Sequence, residues 1–326
     1  PTIMAVDAGK DIYCEKPLTT SIREAIAVRD KVKASNVVFQ GGTMQRSGVH
    51  FQEAVELVRS GHIGEVARIE TFINDDTTLE GIGPAKPDMP DRCDWDFHQG
   101  WVEQVPFDQN RWIYHFRWFV DYSGGKITDW GAHLIDIAMW AMGQERQPIS
   151  VSASGGKYLM QDNRTTPDTL EVVWEFDDFI MSFSNRVWNP YVPATTGFGP
   201  HGIVFYGTLG TMMVNRGGYW VWPFPNNGGC EAVEGKPGPL NELHWENFTQ
   251  CVRSREKCIV DVDTLYYTTM LCHMGTCAYV AGEKLYWDAE SRTFRCADED
   301  AMQAANDWGY RAYLNGWKLE PPYYEA

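Results

Sequence analysis

The spacing of apolar residues changes once along this chain of 326 residues, close to Gly64. Before Gly64, segments with helical spacing alternate with short runs rich in β-branched and aromatic residues. After it, apolar and polar residues alternate in one run after another. The first pattern is typical of a parallel sheet with crossover helices, and the second of a mostly antiparallel sheet with one buried face.

We therefore predict an α/β plus α+β chain in three parts. Residues 1–63 form a small parallel sheet with helices, and residues 64–297 form a mostly antiparallel open sheet with covering helices. Residues 298–326 are a C-terminal segment that begins with an amphipathic helix. The predicted helices cover residues 2–8, 21–34, 50–60, 133–142 and 243–254, and the predicted strands residues 11–14, 37–40, 66–73, 150–154, 169–176, 179–186, 202–206 and 211–215.

A glycine turn at residues 124–125 leads into a helix whose first turns contain Asp129 and His133. A spacing of four places both side chains on one helical face, within reach of each other. A carboxylate beside an imidazole raises the pKa of the ring and makes the pair a general acid and base. A capped helix, with Thr128 or Asp129 as its N-cap and His133 as a plain polar residue, explains the same spacing, and the spacing alone favours it.

Two polar segments follow the predicted parallel strands. Glu15-Lys16-Pro17 comes after the first strand, and residues 43–46 come after the second. Ligands of parallel sheets bind at the carboxyl ends of the strands, so we expect both segments near a ligand. Lys16 as a surface charge and Pro17 as a strand stop are the structural alternatives.

Residues 8–18, AGKDIYCEKPL, resemble the Glu-Lys-Pro segment of the Gfo/Idh/MocA family of NAD(P)-dependent sugar and polyol oxidoreductases. Residues 124–136 resemble that family's second signature, in which an Asp and a His four residues later complete the catalytic group. The two signatures stand in the family's order, about 110 residues apart. Further similarity extends to the C-terminus, at residues 94–96, 205–211, 287–288 and 310–311.

The resemblance implies a Rossmann-type dinucleotide domain, with residues 298–326 packed near the domain junction. It implies hydride transfer between a sugar or polyol and NAD or NADP, with Lys16, Asp129 and His133 as the catalytic group. In this scheme Lys16 contacts the substrate hydroxyl and the nicotinamide, His133 is the acid and base, and Asp129 orients it. The candidate cofactor contacts are Glu15, Lys16, Pro17, Gln45 and Arg46. The candidate substrate contacts are Lys16, Arg117, Asp121, Tyr122, Asp129, His133 and Arg186, with Asn185 as the alternative to Arg186.

One signature of that family is missing from the sequence. No Gly-x-Gly-x-x-Gly turn, which binds the pyrophosphate at a helix N-terminus, precedes Glu15. The sequence also begins at a proline within a predicted helix. We therefore expect a fragment that lacks the first half of the Rossmann-type domain.

Composition narrows the partners and the compartment. A formal net charge of −16 argues against nucleic acid and anionic membranes as partners. The sequence contains no run of 18 apolar residues, so it predicts no transmembrane helix. Eight cysteines without a Cys-x-x-Cys pair indicate buried free thiols and a cytoplasmic protein, with export left open. We predict no metal site, because Cys272 and His273 point to different helix faces and do not join Cys277.

Residues 75–111 form a long segment rich in proline, aspartate and aromatic residues, as in lids and substrate walls. Its aromatic residues and those just after it either stack on sugar rings or fill a core: Trp95, Trp101, Trp112, Tyr114, Phe116 and Trp118. If the outer face of the second sheet is apolar, we expect copies of the chain to associate through it as a homodimer or homotetramer.

Three functions stay open at this point. The leading one is a sugar or polyol dehydrogenase, or a sugar-to-sugar oxidoreductase. A glycoside hydrolase that uses NAD transiently would release an aglycone without net formation of NADH. A non-catalytic sugar-binding partner is expected if the gene lacks the first Rossmann half, which the DNA upstream of Pro1 would show.

Overall fold

The computed structural model describes residues 1–191 and 199–323. In chain order its helices and strands are α1 (Thr2–Asp7), β1 (Ile12–Cys14), α2 (Ile22–Lys33), β2 (Phe39–Gly41), α3 (Val49–Arg59), β3 (Val66–Asn74), α4 (Trp95–Gln99), α5 (Ala132–Met142), β4 (Ser150–Gly156), β5 (Thr169–Glu175), β6 (Ile180–Arg186), β7 (His201–Gly207), β8 (Gly210–Asn215), β9 (Gly218–Pro223), β10 (Glu234–Gly235), α6 (Asn241–Ser254), α7 (Val262–Ala281), β11 (Leu285–Asp288), β12 (Thr293–Arg295) and α8 (Glu299–Gly309).

β1 and β2 form a two-stranded parallel sheet, with Ile12 opposite Phe39. The helix that follows β1 begins where the sequence predicts it. The Oγ of Ser21 accepts a hydrogen bond from the N–H of Glu24, and the Glu24 carboxylate accepts one from the N–H of Thr20. Ser21 is therefore the N-cap, as predicted. Glu24 bonds Thr20, one residue before the N-cap, instead of the Ser21 N–H that a complete capping box uses.

The other strands form one sheet in the order β10-β9-β8-β7-β3-β6-β5-β4-β11-β12. β3 and β6 run parallel, and every other neighbouring pair in the described residues is antiparallel. The predicted α/β plus α+β architecture, with a small parallel sheet and a mostly antiparallel one, is therefore confirmed.

The two faces of the large sheet differ. On the inner face, Phe183 is fully buried. Its ring packs closely against the start of α5, since a Cβ added at Gly131 would lie 3.1 Å from it. The outer face carries a cleft of about 450 Å³ and mixes apolar with charged side chains, among them Arg68, Glu70 and Tyr206. Side chains alternate between faces along a strand, so strand position decides which face a residue can serve.

The sequence analysis missed α7, together with β9 to β12. α7 packs against α2, α5 and α8 and is buried over most of its length. A helix surrounded by protein needs no polar face, so its apolar residues show no helical periodicity. One hydrophobic core runs from α1 through α7 to the large sheet, and the predicted domain boundaries at residues 63 and 297 stay predictions.

Arg311 connects the C-terminal segment to the start of α2 and to the loop that precedes α5. Its guanidinium donates to the carbonyl of Thr20 at 2.7 Å and to that of Val120 at 3.1 Å. Tyr313 donates to the Glu24 carboxylate. The segment after α8 therefore lies where the N-terminal part of the chain meets the loop that precedes α5.

The aromatic residues of the long segment divide between the two predicted roles. Trp95 and Trp118 are buried, whereas the side chain of Tyr114 is 60% exposed. The only regular helix within residues 75–111 of the structure is the short α4, capped by Asp94. Packing accounts for the buried rings and leaves Tyr114 available at the surface.

Two further findings concern membranes and metals. None of the helices in the described ranges is both long and apolar enough to cross a membrane. In the same ranges no three His, Cys, Asp or Glu side chains converge as metal ligands. All eight cysteines are free thiols, and Cys251, Cys258, Cys272 and Cys277 are buried.

Buried histidines make the stability of this fold depend on pH. Burial lowers the pKa of six histidines: His50, His115, His133, His201, His244 and His273. For His273 the pKa falls to about 3, and its Nε2 lies 3.1 Å from the carbonyl of Thr19. Below about pH 6.5 the unfolded chain binds protons at these rings and the folded chain does not. The free energy of unfolding should therefore fall with falling pH, by up to about 1.4 kcal/mol per pH unit for each histidine.

Urea unfolding between about pH 6.5 and pH 4 measures this slope. His273→Gln keeps a donor for Thr19 and removes one titrating ring, so its slope should be shallower by one histidine's share. The matched control is His98→Gln at an exposed position, which should leave the slope unchanged. Equal slopes in the wild type and His273→Gln would show that the ring titrates in the folded state.

Candidate functional site

Lys16 joins the end of β1 to the start of the site helix. Its Nζ lies 2.7 Å from the Asp129 carboxylate and 2.7 Å from the Asp129 carbonyl. The two side chains are only 12% and 15% exposed. The structure therefore brings together the two sequence signatures, which are 113 residues apart.

Local backbone structure presents Asp129 to Lys16. Residues Ile127–Gly131 form a single π-helical turn that continues into α5. Thr128 closes this turn, because its Oγ1 accepts a hydrogen bond from the N–H of Gly124 at 3.0 Å. Gly125 has a φ of +75°, which only glycine adopts readily. Single π turns of this kind are frequent at functional sites.

His133 does not pair with Asp129, so this prediction was wrong. Its Nδ1 is buried and has no hydrogen-bond partner within residues 1–191 and 199–323. The carboxylate of Asp129 instead contacts Lys16 and lies 3.6 Å from the Nε of Arg117. Burial, and then the charges of Lys16 and Arg216, lower the pKa of His133 well below its usual 6.5. The imidazole is therefore neutral at physiological pH, not cationic.

Gln45 and Arg46 are buried and form hydrogen bonds to α5. The Nε2 of Gln45 donates to the carbonyl of His133 at 3.1 Å. Arg46 is buried and forms a two-pronged pair with the Asp136 carboxylate, at 2.8 and 2.9 Å. A buried guanidinium needs a counter-charge, and Asp136 on α5 provides it. These protein contacts give both residues structural roles, and their predicted contacts with a cofactor stay a prediction.

Three predicted substrate contacts lie on the same side of the molecule as Lys16. Arg117 reaches Asp129 and stacks on Tyr114, with its guanidinium carbon 4.7 Å from the ring centre. Asp121 and Tyr122 line a neighbouring apolar cleft of about 530 Å³, formed with α1, α2 and the C-terminal segment. Arg111 pairs with Asp121 at 2.8 Å. Of these three residues, Arg117 is the one that contacts the pair of Lys16 and Asp129.

Arg186 does not belong to this site. It lies on the outer face of β6 beside the cleft of the large sheet, and its guanidinium donates to the carbonyl of Tyr191. Its neighbour Asn185 is buried and donates to the Asp168 carbonyl at 3.3 Å. Side chains alternate between the two faces of a sheet along a strand, so Asn185 and Arg186 point to opposite faces. Arg186 therefore points away from the sheet face on which α5, with His133, lies.

The sequence analysis missed Arg216, Trp130 and His201. Arg216, in the turn between β8 and β9, donates from Nε to Gln45 at 3.2 Å and stacks on Trp130 at 4.3 Å. The ring of His201 lies 4.8 Å from that of Trp130, and burial lowers its pKa to about 4. Trp130 lies within the second signature, between Asp129 and His133, but no motif surrounds Arg216 or His201.

The described residues fit one end of a dinucleotide. Glu15 is exposed at the carboxyl end of β1, and its carboxylate lies against the end of β2, since a Cβ added at Gly42 would be 2.7 Å from it. Pro17 follows Lys16 through a cis peptide bond. This crevice of two parallel strand ends suits a nicotinamide ring.

The pyrophosphate end finds no counterpart in the described residues. The glycine-rich connection between β2 and α3 is covered by side chains. A Cβ added at Gly41 would lie 2.8 Å from Leu265, and one added at Gly48 would overlap Leu240. The N–H groups of Gly41, Gly42 and Gly48 donate to the carbonyls of Val260, Cys14 and Gln45, so they are not open to a phosphate as in a dinucleotide-binding turn.

Parts of this chain are similar to known proteins. Residues 91–213 match the model of the GFO/IDH/MocA C-terminal domain. The scyllo-inositol 2-dehydrogenase (NAD(+)) of Bacillus subtilis (strain 168) is 28% identical over 148 residues, which are 45% of this chain and 33% of that protein. An uncharacterized oxidoreductase of Streptococcus pneumoniae serotype 4 is 25% identical over 225 residues, 66% of this chain and 48% of that protein. The matches thus span a third to a half of these relatives.

Solved structures share the fold. Levoglucosan dehydrogenase, in complex with NADH and levoglucosan, superposes with a TM-score of 0.63 at 16% identity, over 87% of this chain and 75% of that one. The WlbA dehydrogenase of Bordetella pertussis, in complex with NADH and UDP-GlcNAcA, gives 0.61 at 15% identity, over 88% and 74%. At such low identity these structures establish the architecture alone.

Proposed function

We propose, from the premise that this chain belongs to the GFO/IDH/MocA family, that the protein is an oxidoreductase which transfers a hydride between a sugar or polyol and NAD or NADP. The observation that carries the proposal is the contact of Lys16 with Asp129 beside a neutral His133. The relatives named for inositol and levoglucosan support the substrate class.

Lys16 is suited to bind and polarise the reacting hydroxyl. An ammonium group has three N–H donors, and two of those of Lys16 are directed to Asp129. The third is left for a substrate oxygen. In a site with little water, this positive charge stabilises the negative charge that develops on that oxygen as its proton leaves. Bound NAD(P) would supply the hydride acceptor.

His133 is suited to take the hydroxyl proton. Its ring is neutral because its pKa is depressed, so it can accept a proton without first losing one. The same environment makes it a weak base, and Lys16 compensates by lowering the pKa of the bound hydroxyl. In this scheme Asp129 orients Lys16, and the carbonyl of His133 is held by Gln45.

Lys16→Met tests the role of the ammonium group. We expect turnover to fall about a hundredfold or more, as it does when a donor to a developing oxyanion is removed from an active site. NADH formation is measured with myo-inositol, levoglucosan and glucose as substrates. Lys284→Met, which removes an equally short ion pair to Glu175 at the sheet surface, should leave turnover unchanged.

A Lys16→Met protein that keeps wild-type turnover would refute the assignment. Release of an aglycone from an aryl glycoside without net NADH would indicate the glycoside hydrolase alternative. Proteins that neither oxidise a sugar nor release an aglycone would indicate the non-catalytic alternative.

The pH profile tests the role of His133. Sugar oxidation needs the neutral ring, so log(kcat/KM) should fall as the pH decreases through the pKa of His133. Because that pKa is depressed, we expect the break below about pH 6.5 and a flat profile above it. His133→Asn should lower the rate and abolish the break. A break above pH 7 that persists in His133→Asn would place the base elsewhere.

We also propose that the chain forms a homodimer or homotetramer through the outer face of the large sheet. Four apolar side chains on this face are 37–41% exposed: Val173, Ile180, Tyr206 and Trp222. Several exposed apolar side chains on one sheet face favour an interface, although charged side chains lie among them. Light scattering should give the mass of a dimer or larger, and Ile180→Lys should shift it toward the monomer; a wild-type monomer would contradict the proposal.

A further inference from the structure

The site holds more positive than negative charge. Lys16 and Arg117 contact the Asp129 carboxylate, and Arg216 interacts electrostatically with the same carboxylate. Three cations facing one anion leave a net charge of +2 at this point. Lys126 pairs with Asp75 and adds nothing to the sum, and the carboxylate of Glu15 lies beside Gly42. The excess is local, because the whole chain has a formal charge of −16.

The guanidinium of Arg216 is held by one edge only. Its Nε donates to Gln45 and its plane stacks on Trp130, so its orientation is set. Within residues 1–191 and 199–323, its two terminal nitrogens donate to no protein acceptor. A fixed guanidinium with its terminal edge available is the geometry that binds a carboxylate or phosphate through two parallel hydrogen bonds.

The energetics favour an anion at this position. Arg216 is half-buried, and burial lowers the pKa of its guanidinium despite the opposing charge of Asp129. Asp129 is already shared with Lys16 and Arg117, so it cannot neutralise a third cation. A partly desolvated cation without a full counter-charge is costly, and an oxyanion on the ligand would offset that cost. A neutral polyol has no charge to offset the cost of burying this cation.

We infer that the substrate carries an oxyanion, as a sugar acid or a sugar phosphate does, and that Arg216 binds this group while Lys16 binds the reacting hydroxyl. The inference rests on the proposed function and narrows its substrate class. Arg216 acts electrostatically on both His133 and Asp129, so the anionic group and the reacting hydroxyl belong to one small molecule. Arg117, at the rim, adds a second positive charge.

Matched ligands test the inference on the intact protein. Binding of D-glucuronate, D-glucose 6-phosphate and D-glucose is measured by calorimetry, and turnover with NAD+ and NADP+ is measured in parallel. We expect at least one of the two anionic sugars to bind about tenfold or more tightly than glucose, with an advantage that shrinks as salt screens the charges. Comparing glucuronate with glucose 6-phosphate distinguishes a carboxylate from a phosphate.

Variants locate the effect. Arg216→Gln should abolish the preference for the anionic sugar and change glucose binding little, whereas Arg216→Lys should keep part of it. If Arg216→Gln fails to fold, Arg216→Lys carries the test, because the charge stays and the planar fork is lost. Arg146→Gln, at an exposed ion pair with Asp178, is the control and should keep the full preference.

Equal binding of anionic and neutral sugars, or an Arg216→Gln variant with an unchanged preference, would overturn the inference. Oxidation of neutral polyols at Lys16 would then still support the proposed function. Preferential binding of an anionic sugar without any hydride transfer would uphold the binding site and count against the proposed reaction. The calorimetric and kinetic measurements therefore fail independently.

Discussion

The ion pair between Lys16 and Asp129 is the contact on which the site depends. It links the carboxyl end of a parallel strand to a π turn at the start of α5, and both partners are largely withdrawn from water. Attraction between such groups is stronger than at the surface, but each also needs its partner to offset lost hydration. The pair therefore fixes the direction of the remaining Lys16 donor and, with it, the place where a substrate oxygen can lie.

A second layer of polar contacts holds that geometry. Gln45 bridges the carbonyl of His133 and the guanidinium of Arg216, and Arg46 anchors α5 through Asp136. Gln45 and Arg46 lie in the turn after β2, so the N-terminal part of the chain stabilises α5. Each buried donor or acceptor used in this way is costly to leave unpaired, which makes the arrangement rigid.

The electrostatics of the site follow from its assembly. Lys16, Arg117 and Arg216 come from three separate segments and face the carboxylate of Asp129. Burial, and then the charges of Lys16 and Arg216, keep His133 neutral. A neutral base beside a cationic donor is a workable arrangement for proton removal, and the same excess of positive charge suits an anionic substrate. One set of side chains thus connects the proposed chemistry with the inferred specificity.

The sequence by itself determined the local structure and the two signatures. The N-cap at Ser21, the alternating strands and the positions of Lys16 and Asp129 were readable because backbone geometry and periodicity are properties of neighbouring residues. Only the tertiary structure decided the partner of each side chain. It paired Asp129 with Lys16 instead of His133, buried Arg46 against Asp136, turned Arg186 to the opposite face and brought Arg216 to the site. Those choices depend on distances between segments far apart in the chain, and α7, apolar on all sides, left no periodic signal because the fold surrounds it.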